Sequence, residues 1–383
     1  HGKARQETFF ASVTEADLER ERKVEAIVRE DLASWQEQGL VPDMAIEPGD
    51  ETTRLMRERG WTHWHHLFNA RQILVASLAN IEAAKSACRS EISMKLCKAL
   101  DFNSRGCFWQ VNSEACANVF TNQALNTMYT YPCRASTYFL GVSFPLTGHA
   151  IAANAEVLSC PASASEARAE IYVTDPPYAD AVNYHEITEF FIAWLRKNPP
   201  EPFRNWVWDS RRSLAIKGDG DEFRREMVRA YKAMADRMPD NGLQIVMFTH
   251  QSGAVWADMA AIMWAAGLKV TAAWYSSTEK TSDLKKGGYV QGTVLLVLRK
   301  RLNEERAYED ELAVEIKQEV ARQIETLTGL NQRVKESRQR SENLFEDADL
   351  QMAGYAAALR VLTGYRWIGA DDMTQEALRP RRK

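Results

Sequence analysis

Apolar positions recur at three- and four-residue intervals toward both ends of the chain and gather into short β-branched runs in its middle. In residues 14–38, Leu18, Val24, Ile27, Val28, Leu32 and Trp35 punctuate a charged background, which predicts an amphipathic helix. A loop over 43–49 follows, then a helix over 73–90 that continues through 91–100, and a polar loop at Asn103-Ser104-Arg105. Residues 120–128 read as helical and 156–160 as a short strand. The run Ile171-Tyr172-Val173-Thr174 stops at Pro176 and Pro177, which predicts a buried strand ending in a stiff loop. Beyond it the pattern gives a helix over 184–197 and another over 223–237. A strand over 242–248, a helix over 256–266 closed by Gly267, and strands over 269–275 and 292–300 complete it. That succession fits a doubly wound α/β sheet, and its last two strands, joined without a helix, are expected as an antiparallel pair at the sheet edge. Helices over 303–340 and 349–363 close the chain. The expected division is a mainly helical region over 1–150, an α/β core over 151–301 and a helical region over 302–383.

The whole is 383 residues, 45% hydrophobic and 26% charged with a net charge of −4, an ordinary globular balance with room for two or three compact units. A net negative charge makes any basic surface local. The candidates are Arg196-Lys197, Arg211-Arg212, Arg224-Arg225, Lys285-Lys286 and the tail Arg379-Pro380-Arg381-Arg382-Lys383. No signal peptide and no apolar run of membrane length is present in the sequence, so a cytoplasmic setting without a membrane partner is expected. Its 6 cysteines form no C-x-x-C pair, which argues against a zinc ribbon and for free, mostly buried thiols. The first residue, His1, suggests processing, trimming or an incompletely represented protein. His63, His65 and His66 invite a metal, but helical spacing would put His65 on a different face from the other two, and no carboxylate or cysteine stands at ligand spacing, so no metal is expected.

The chemistry concentrates in Asp175-Pro176-Pro177-Tyr178. Open α/β sheets bind ligands at the carboxyl ends of their strands, and this tetrapeptide stands at such an end. An exocyclic amino nitrogen of a base is a poor nucleophile, because its lone pair is delocalised into the ring. Hydrogen bonds accepted from its two N–H groups, one by the Asp175 carboxylate and one by the Pro176 carbonyl held by the fixed φ of proline, free that lone pair. Tyr178 offers a ring face to a base taken out of the helix; stacking of this kind contributes about 1–3 kcal/mol and offsets much of the cost of flipping. The chemistry that suits this set is methyl transfer from S-adenosylmethionine, driven mostly by positioning. Thr174 and Asp175 would face that cofactor. Phe248 and His250, at a neighbouring strand end, are candidate pocket residues. Arg71 and Arg105 are candidate contacts to phosphates or to adjacent segments.

With these residues in place, the chain resembles the carboxyl-terminal half of the large adenine-specific DNA methylases that carry a zinc ribbon, a family often encoded among bacterial anti-phage genes. The matching stretches are Ile46-Glu47-Pro48-Gly49, Gly60-Trp61 through Leu67-Phe68 with Arg71-Gln72, Asn103-Ser104-Arg105, Val119-Phe120 with Gln123-Ala124-Leu125-Asn126, and above all Thr174-Asp175-Pro176-Pro177-Tyr178. Tyr184-His185-Glu186 through Trp194-Leu195-Arg196, and Phe248-Thr249-His250 with Trp256, extend the match over most of the chain. The resemblance implies a Rossmann-like S-adenosylmethionine-dependent sheet, duplex DNA with a flipped adenine as substrate, and a setting in restriction–modification or anti-phage defence; cytosine is the less favoured base. One departure is informative. The family's glycine-rich cofactor loop, of the form F-x-G-x-G, is not found; Gly287-Gly288 lies between the last two strands, and the zinc ribbon is missing as well. Both precede the matching region in the family. The expectation is therefore the target-base half of a methyltransferase, completed by a partner polypeptide or an upstream segment. A non-catalytic DNA-binding or scaffold subunit and an RNA guanine amino-methyltransferase are the alternatives.

Overall fold

The computed structural model describes residues 11–110, 115–121, 124–125, 155–177, 183–210, 212–217, 220–277, 292–338 and 345–379. It is a mixed α/β protein of two compact units. One comprises His1–Val157 with Val182–Ser213, the other Leu158–Ala181 with Leu214–Lys383. The grouping differs from the expected three segments because the chain leaves the second unit just after the Asp-Pro-Pro motif, builds two helices into the first, and then returns.

In the first unit, α1 (Glu15–Glu37) starts at Thr14, whose hydroxyl accepts from the Asp17 N–H while the Asp17 carboxylate accepts from the Thr14 N–H, a reciprocal cap. α2 (Thr52–Arg59) ends at Gly60, whose φ of +66° suits only a residue without a Cβ. A 3₁₀ turn over Trp64–Leu67 leads to α3 (Ala70–Ala84), capped by Asn69 and Gln72 in the same reciprocal way, and then to α4 (Arg89–Asp101). The helix expected over 73–90 is thus two helices broken at residues 85–88. Two small antiparallel ribbons follow: β1 (Phe108–Gln110) with β2 (Ala115–Ala117), and β3 (Phe120–Thr121) with β4 (Ala124–Leu125). The second replaces the start of the helix expected over 120–128; residues 126–128 lie outside the described residues. α5 (Tyr184–Ile187) and α6 (Glu189–Leu195) stand where one helix was expected, divided at Thr188. α6 buries Phe190 and Trp194 against Trp64 and Phe68, with ring centroids 5.1–6.3 Å apart. Edge-on and offset aromatic contacts of this kind add about 0.5–1.5 kcal/mol each beyond area burial.

Two carboxylates on these short helices organise the loop before α2. The Glu186 carboxylate accepts from the backbone N–H groups of Asp50 (3.0 Å), Glu51 (3.0 Å) and Thr52 (3.1 Å) and from the Thr52 hydroxyl (3.2 Å). These are donors that a helix N-terminus leaves unsatisfied. Burial alone would raise the Glu186 pKa, but the three backbone donors overcome it and hold the group below its ordinary range. Glu189, fully buried, pairs with Arg212, which also donates to the carbonyls of Pro48 (2.9 Å) and Glu47 (3.1 Å). Burial opposes the Arg212 charge, yet the two-pronged Glu189 pair more than offsets it and raises the guanidinium pKa.

The second unit is built on a four-stranded sheet. Its strands are β5 (Ile171–Thr174), β6 (Leu243–Phe248), β7 (Leu268–Ser277) and β8 (Gly292–Lys300), in the order β5-β6-β8-β7. β5 and β6 are parallel; β8 runs antiparallel to both β6 and β7. The last two strands do form an antiparallel pair, but β8 is slotted inside the sheet and β7 takes the edge. Registers put Tyr172, Thr174, Gln244, Val246, Phe248, Val294, Leu296, Leu298, Val270, Ala273 and Tyr275 on one face. On that inner face α7 (Gly220–Arg237) packs Phe223, Met227, Tyr231 and Met234, and α8 (Gly253–Ala265) packs Trp256, Met259, Ile262 and Met263. β5 is not the buried strand that its β-branched run suggests. It pairs with β6 alone among the described residues, and Ile171 and Val173 are 56% and 62% exposed. Residues 156–160 form no strand.

The rest of the unit is a clasp. β9 (Arg306–Ala307) precedes α9 (Glu309–Arg338) and α10 (Asp347–Leu362); β10 (Trp367–Ile368) then pairs parallel with β9 and antiparallel with β11 (Asp371–Asp372), before the short α11 (Met373–Glu376). α10 adds Met352, Ala356 and Leu359 to the inner core. No helix among the described residues is long and apolar enough to cross a membrane. The described cysteines are free; Cys97 and Cys107 are buried and Cys88 and Cys160 exposed, so the thiols are less uniformly buried than expected.

The Glu186 clamp leaves no room at Gly49: a Cβ there would stand 2.3 Å from a Glu186 carboxylate oxygen. Gly49→Ala is expected to lower the stability of the first unit by about 1–3 kcal/mol, read as a shifted urea midpoint at unchanged slope. An unshifted midpoint would show that the clamp does not form.

Candidate functional site

The motif stands at the carboxyl end of β5. In the register of the parallel pair, Thr174 lies opposite Val246, so Asp175 and Pro176 leave the sheet beside the last residues of β6. Pro176 is buried, while Asp175 and Pro177 are exposed. The strand end is anchored from below. The Thr174 hydroxyl lies 3.2 Å from the Tyr231 hydroxyl and 3.5 Å from the Ile245 carbonyl oxygen. Tyr231 sits on α7 with 2% of its surface exposed. Burial pushes its phenol pKa up, the Asp175 charge adds to this, and the Thr174 hydrogen bond opposes it. A buried hydroxyl thus holds the residue just before the carboxylate, and a stiff proline holds the one just after.

The neighbouring strand end carries Phe248, Thr249 and His250. Phe248 is 2% exposed, with its ring edge-on to Trp256 at 4.9 Å between centroids. The Thr249 hydroxyl donates to the Gly292 carbonyl at 3.0 Å. His250 is partly exposed; its Nδ1 accepts from the Ser252 N–H at 2.9 Å, and its carbonyl accepts from Trp256 Nε1 at 2.7 Å. Thr174, Asp175, Pro176, Phe248 and His250 therefore lie in one unit, on adjacent parallel strands and the loops that follow them. Tyr178 lies outside the described residues.

Arg71 and Arg105 belong to the other unit. Arg71 pairs with Glu21 at 2.7 Å, tying α3 to α1. The Arg105 guanidinium donates to the His66 carbonyl and stands 5.0 Å from the centre of the Trp61 ring, while its backbone N–H donates to the Leu67 carbonyl at 2.7 Å. Its neighbours Asn103 and Ser104 are fully buried, and Asn103 donates to the Ala99 carbonyl at 2.6 Å. Of the basic pairs, Arg196 and Lys197 both meet Asp43, at 2.6 Å each, and Arg224 pairs with Asp221 and lies 3.7 Å from Asp258. Arg211 and Lys285-Lys286 lie outside the described residues.

Sequence reasoning gave no role to Tyr231, Glu186 or Glu189, and it read Arg212 as part of a basic surface, whereas its side chain is largely buried against Glu189. Tyr231 falls in the apolar stripe Phe223, Met227, Tyr231, Met234 and carries the one hydroxyl in it. Glu186 and Glu189 stand at the head of an otherwise apolar helical run, where a carboxylate needs dedicated partners.

His65, expected on a different face from His63 and His66, is brought to them by the 3₁₀ turn: ring centroids lie 4.4 Å (His65–His66), 5.4 Å (His63–His66) and 5.5 Å (His63–His65) apart. Each Nδ1 has another partner, that of His63 being the Thr62 hydroxyl at 3.0 Å. His66 Nδ1 accepts from the Thr62 N–H at 3.2 Å, and His65 Nδ1 lies 3.2 Å from Gln36 Nε2. No grouping suited to a metal ion is found among the described residues.

This is a mixed α/β protein with the Asp175-Pro176 loop at the carboxyl end of a parallel strand. No family model, no curated protein and no solved structure matches the chain.

Burial, helped by the charges of His66 and His63, holds the His65 pKa down at about 4, against the opposing pull of the Pro42 carbonyl and Asp43. An unfolded histidine titrates near about 6.5, so between about 6.5 and 4 the unfolded chain binds a proton that the folded one refuses. This contribution to stability is full above that window and is lost as pH falls through it. NMR titration is expected to place the His65 ring near 4, with a lower urea midpoint at pH 5 than at pH 7.5. A His65 midpoint near 6.5 would contradict the burial.

Proposed function

We propose that the chain is the target-base half of an S-adenosylmethionine-dependent methyltransferase acting on the exocyclic amino group of adenine in duplex DNA. The observation that carries the reading is the placement of Asp175-Pro176 at the carboxyl end of β5, beside the end of its parallel neighbour β6. Ligands of open α/β sheets bind there.

The residues fit the base side of the reaction. The exposed Asp175 carboxylate accepts one amino N–H and the Pro176 carbonyl the other, localising the lone pair on nitrogen. Tyr231, through Thr174, sets where that carboxylate stands; a displacement of about 1 Å at such a site can cost a hundredfold in rate. Tyr178 stacks on the flipped base. The cofactor side fits less well. When bound, the cofactor supplies an electrophilic methyl group. Among the described residues, however, the strand-to-helix junction of β6 and α8 has no glycine-rich turn. Its Gly253 is packed so closely that an added Cβ would lie 3.2 Å from the Tyr355 hydroxyl. In this proposal the cofactor pocket is completed by another stretch of polypeptide, a reading supported by the absence of the F-x-G-x-G pattern from the sequence.

The test uses a duplex with 2-aminopurine at a mismatched position, whose fluorescence rises when the base is extruded. The full chain is expected to raise it several-fold, and Asp175→Ala to weaken the response at least tenfold. Asp236→Ala, on the exposed face of α7, is expected to leave it unchanged. No fluorescence rise with the unaltered chain would overturn the assignment.

A further inference from the structure

The loop that leaves α6 in the first unit holds three aromatic side chains that no core uses. Phe203, Trp206 and Trp208 are partly exposed, and Val207, between the two indoles, is 56% exposed. None of the four belongs to a hydrophobic core of the described residues or packs against one. Large aromatic side chains dominate the energetics of cores and of interfaces, and these serve no core. Their arrangement follows from the local backbone. The Phe203 N–H donates to the Pro200 carbonyl at 2.9 Å and the Trp206 N–H to the Phe203 carbonyl at 3.1 Å, which closes a 3₁₀ turn over Phe203–Asn205. Trp206 then takes up extended backbone, with φ −70° and ψ 155°, and in such a chain side chains two residues apart point the same way. The two indole rings are within 30° of parallel, with centroids 6.3 Å apart. That spacing is close to the roughly 6.6 Å that two residues of extended chain span. Trp208 Nε1 donates to the Phe203 carbonyl at 3.0 Å, which fixes one ring, and Phe203 backs the other at 4.7 Å between centroids.

The loop is pinned at both ends. Lys197 donates to the Gln36 carbonyl at 2.6 Å, Asn198 to the Gln38 carbonyl at 2.7 Å, and the Glu201 N–H to the Ser90 hydroxyl at 2.9 Å. At the far end Arg212 is held by Glu189 at 2.7 Å. Rings presented in place lose little freedom when something settles on them. Near-parallel rings select a flat partner. A methylated ammonium is best enclosed by rings set steeply around it, and these stand at only 30° and 43° to one another. Charge narrows the choice further. Residues 196–212 hold five basic and two acidic side chains in a chain whose net charge is −4, and Arg196 and Lys197 share one carboxylate, Asp43. Arg204, beside the rings, is 69% exposed and pairs with Glu201, itself 63% exposed, at 3.3 Å. A surface pair of this kind contributes little and exchanges readily for a phosphate. Flat rings next to such cations match a polyanion with unpaired bases.

We infer that Trp206 and Trp208 form a stacking platform for the bases of a single-stranded nucleic acid, with Arg204 meeting the phosphates between them. The site goes beyond the methyl-transfer reading. It lies in the other unit and needs neither Asp175 nor a cofactor, so either assignment can fail while the other stands.

The test follows the fluorescence anisotropy of a labelled oligothymidylate on the full chain, with a duplex of equal length and an oligoproline peptide as competitors. The single strand is expected to bind more tightly than the duplex and to weaken several-fold between about 50 and 200 mM salt. Trp206→Leu and Trp208→Leu are each expected to melt like the unaltered protein and to weaken binding about tenfold, while Trp206→Phe, which keeps a ring, stays within about threefold of it. Arg204→Ala is expected to flatten the salt dependence, and Asp236→Ala, on the exposed face of α7, to change nothing. A strand carrying 5-bromodeoxyuridine is expected to photocrosslink within the tryptic fragment 205–211. Should either leucine variant unfold, that crosslink and the phenylalanine variant decide. Binding indifferent to both leucine variants, crosslinks confined to other fragments, tighter binding of the duplex, or displacement of the strand by oligoproline would each overturn the inference.

Discussion

A parallel strand pair cannot be closed by a hairpin, and that constraint governs the whole sheet unit. β5 and β6 run the same way, so the chain must travel the length of the sheet between them, and β6 to β7 repeats the requirement. The returning helices α7 and α8 deliver Met227, Tyr231, Trp256 and Met263 to one face of the sheet and make its core. The same geometry sends the carboxyl ends of β5 and β6 to one end of the sheet, which sets Asp175 beside Thr249 and His250. β8, antiparallel to both, lies in the slot between β6 and β7.

The long excursion between β5 and β6 also feeds the first unit. Two short helices leave the motif loop and bury Phe190 and Trp194 among the aromatic residues before α3, while Glu186 and Glu189 satisfy backbone donors and a guanidinium around residues 47–52. Each oxygen of these two carboxylates has at least one donor, which holds Glu186 in its charged form, while burial still outweighs the Arg212 pair and raises the Glu189 pKa. Removing one partner of such a set typically costs more than the pair contributes, which makes the set a specifying device more than a stabilising one.

Much of the sheet unit was legible in sequence, because apolar runs of strand length alternate with stripes of helical period and each boundary carries a proline or glycine. The helices on Phe223, Met227, Tyr231 and on Trp256, Met259, Met263 follow directly from that period. The exposure of β5 was hidden, since a β-branched run reads the same whether its face is covered by this chain or left bare. The slotting of β8 was hidden as well, because strand order depends on which edge offers the better apolar match. In the first unit, Phe120 and Leu125 look helical by composition but are drawn into a ribbon, and the three histidines look dispersed until a 3₁₀ turn brings their rings together. At the candidate site, the placement of Asp175 and Pro176 at a strand end was readable from the proline stop. Tyr231, 57 residues from Thr174 along the chain, was not.

The clasp at the end of the second unit has a consequence for how the chain can vary. β9 and β10 are held side by side, and the backbone N–H groups of Arg366 and Trp367 both donate to the Glu305 carbonyl, so the helical hairpin of α9 and α10 enters and leaves the fold at a single point. Its far end meets the sheet as well: Phe345, just before α10, packs edge-on against Tyr275 of β7 at 5.4 Å between ring centroids. The hairpin is therefore tied to the sheet along α10, through Met352, Ala356 and Leu359, and a change of helix length there would shift core residues and not only surface ones.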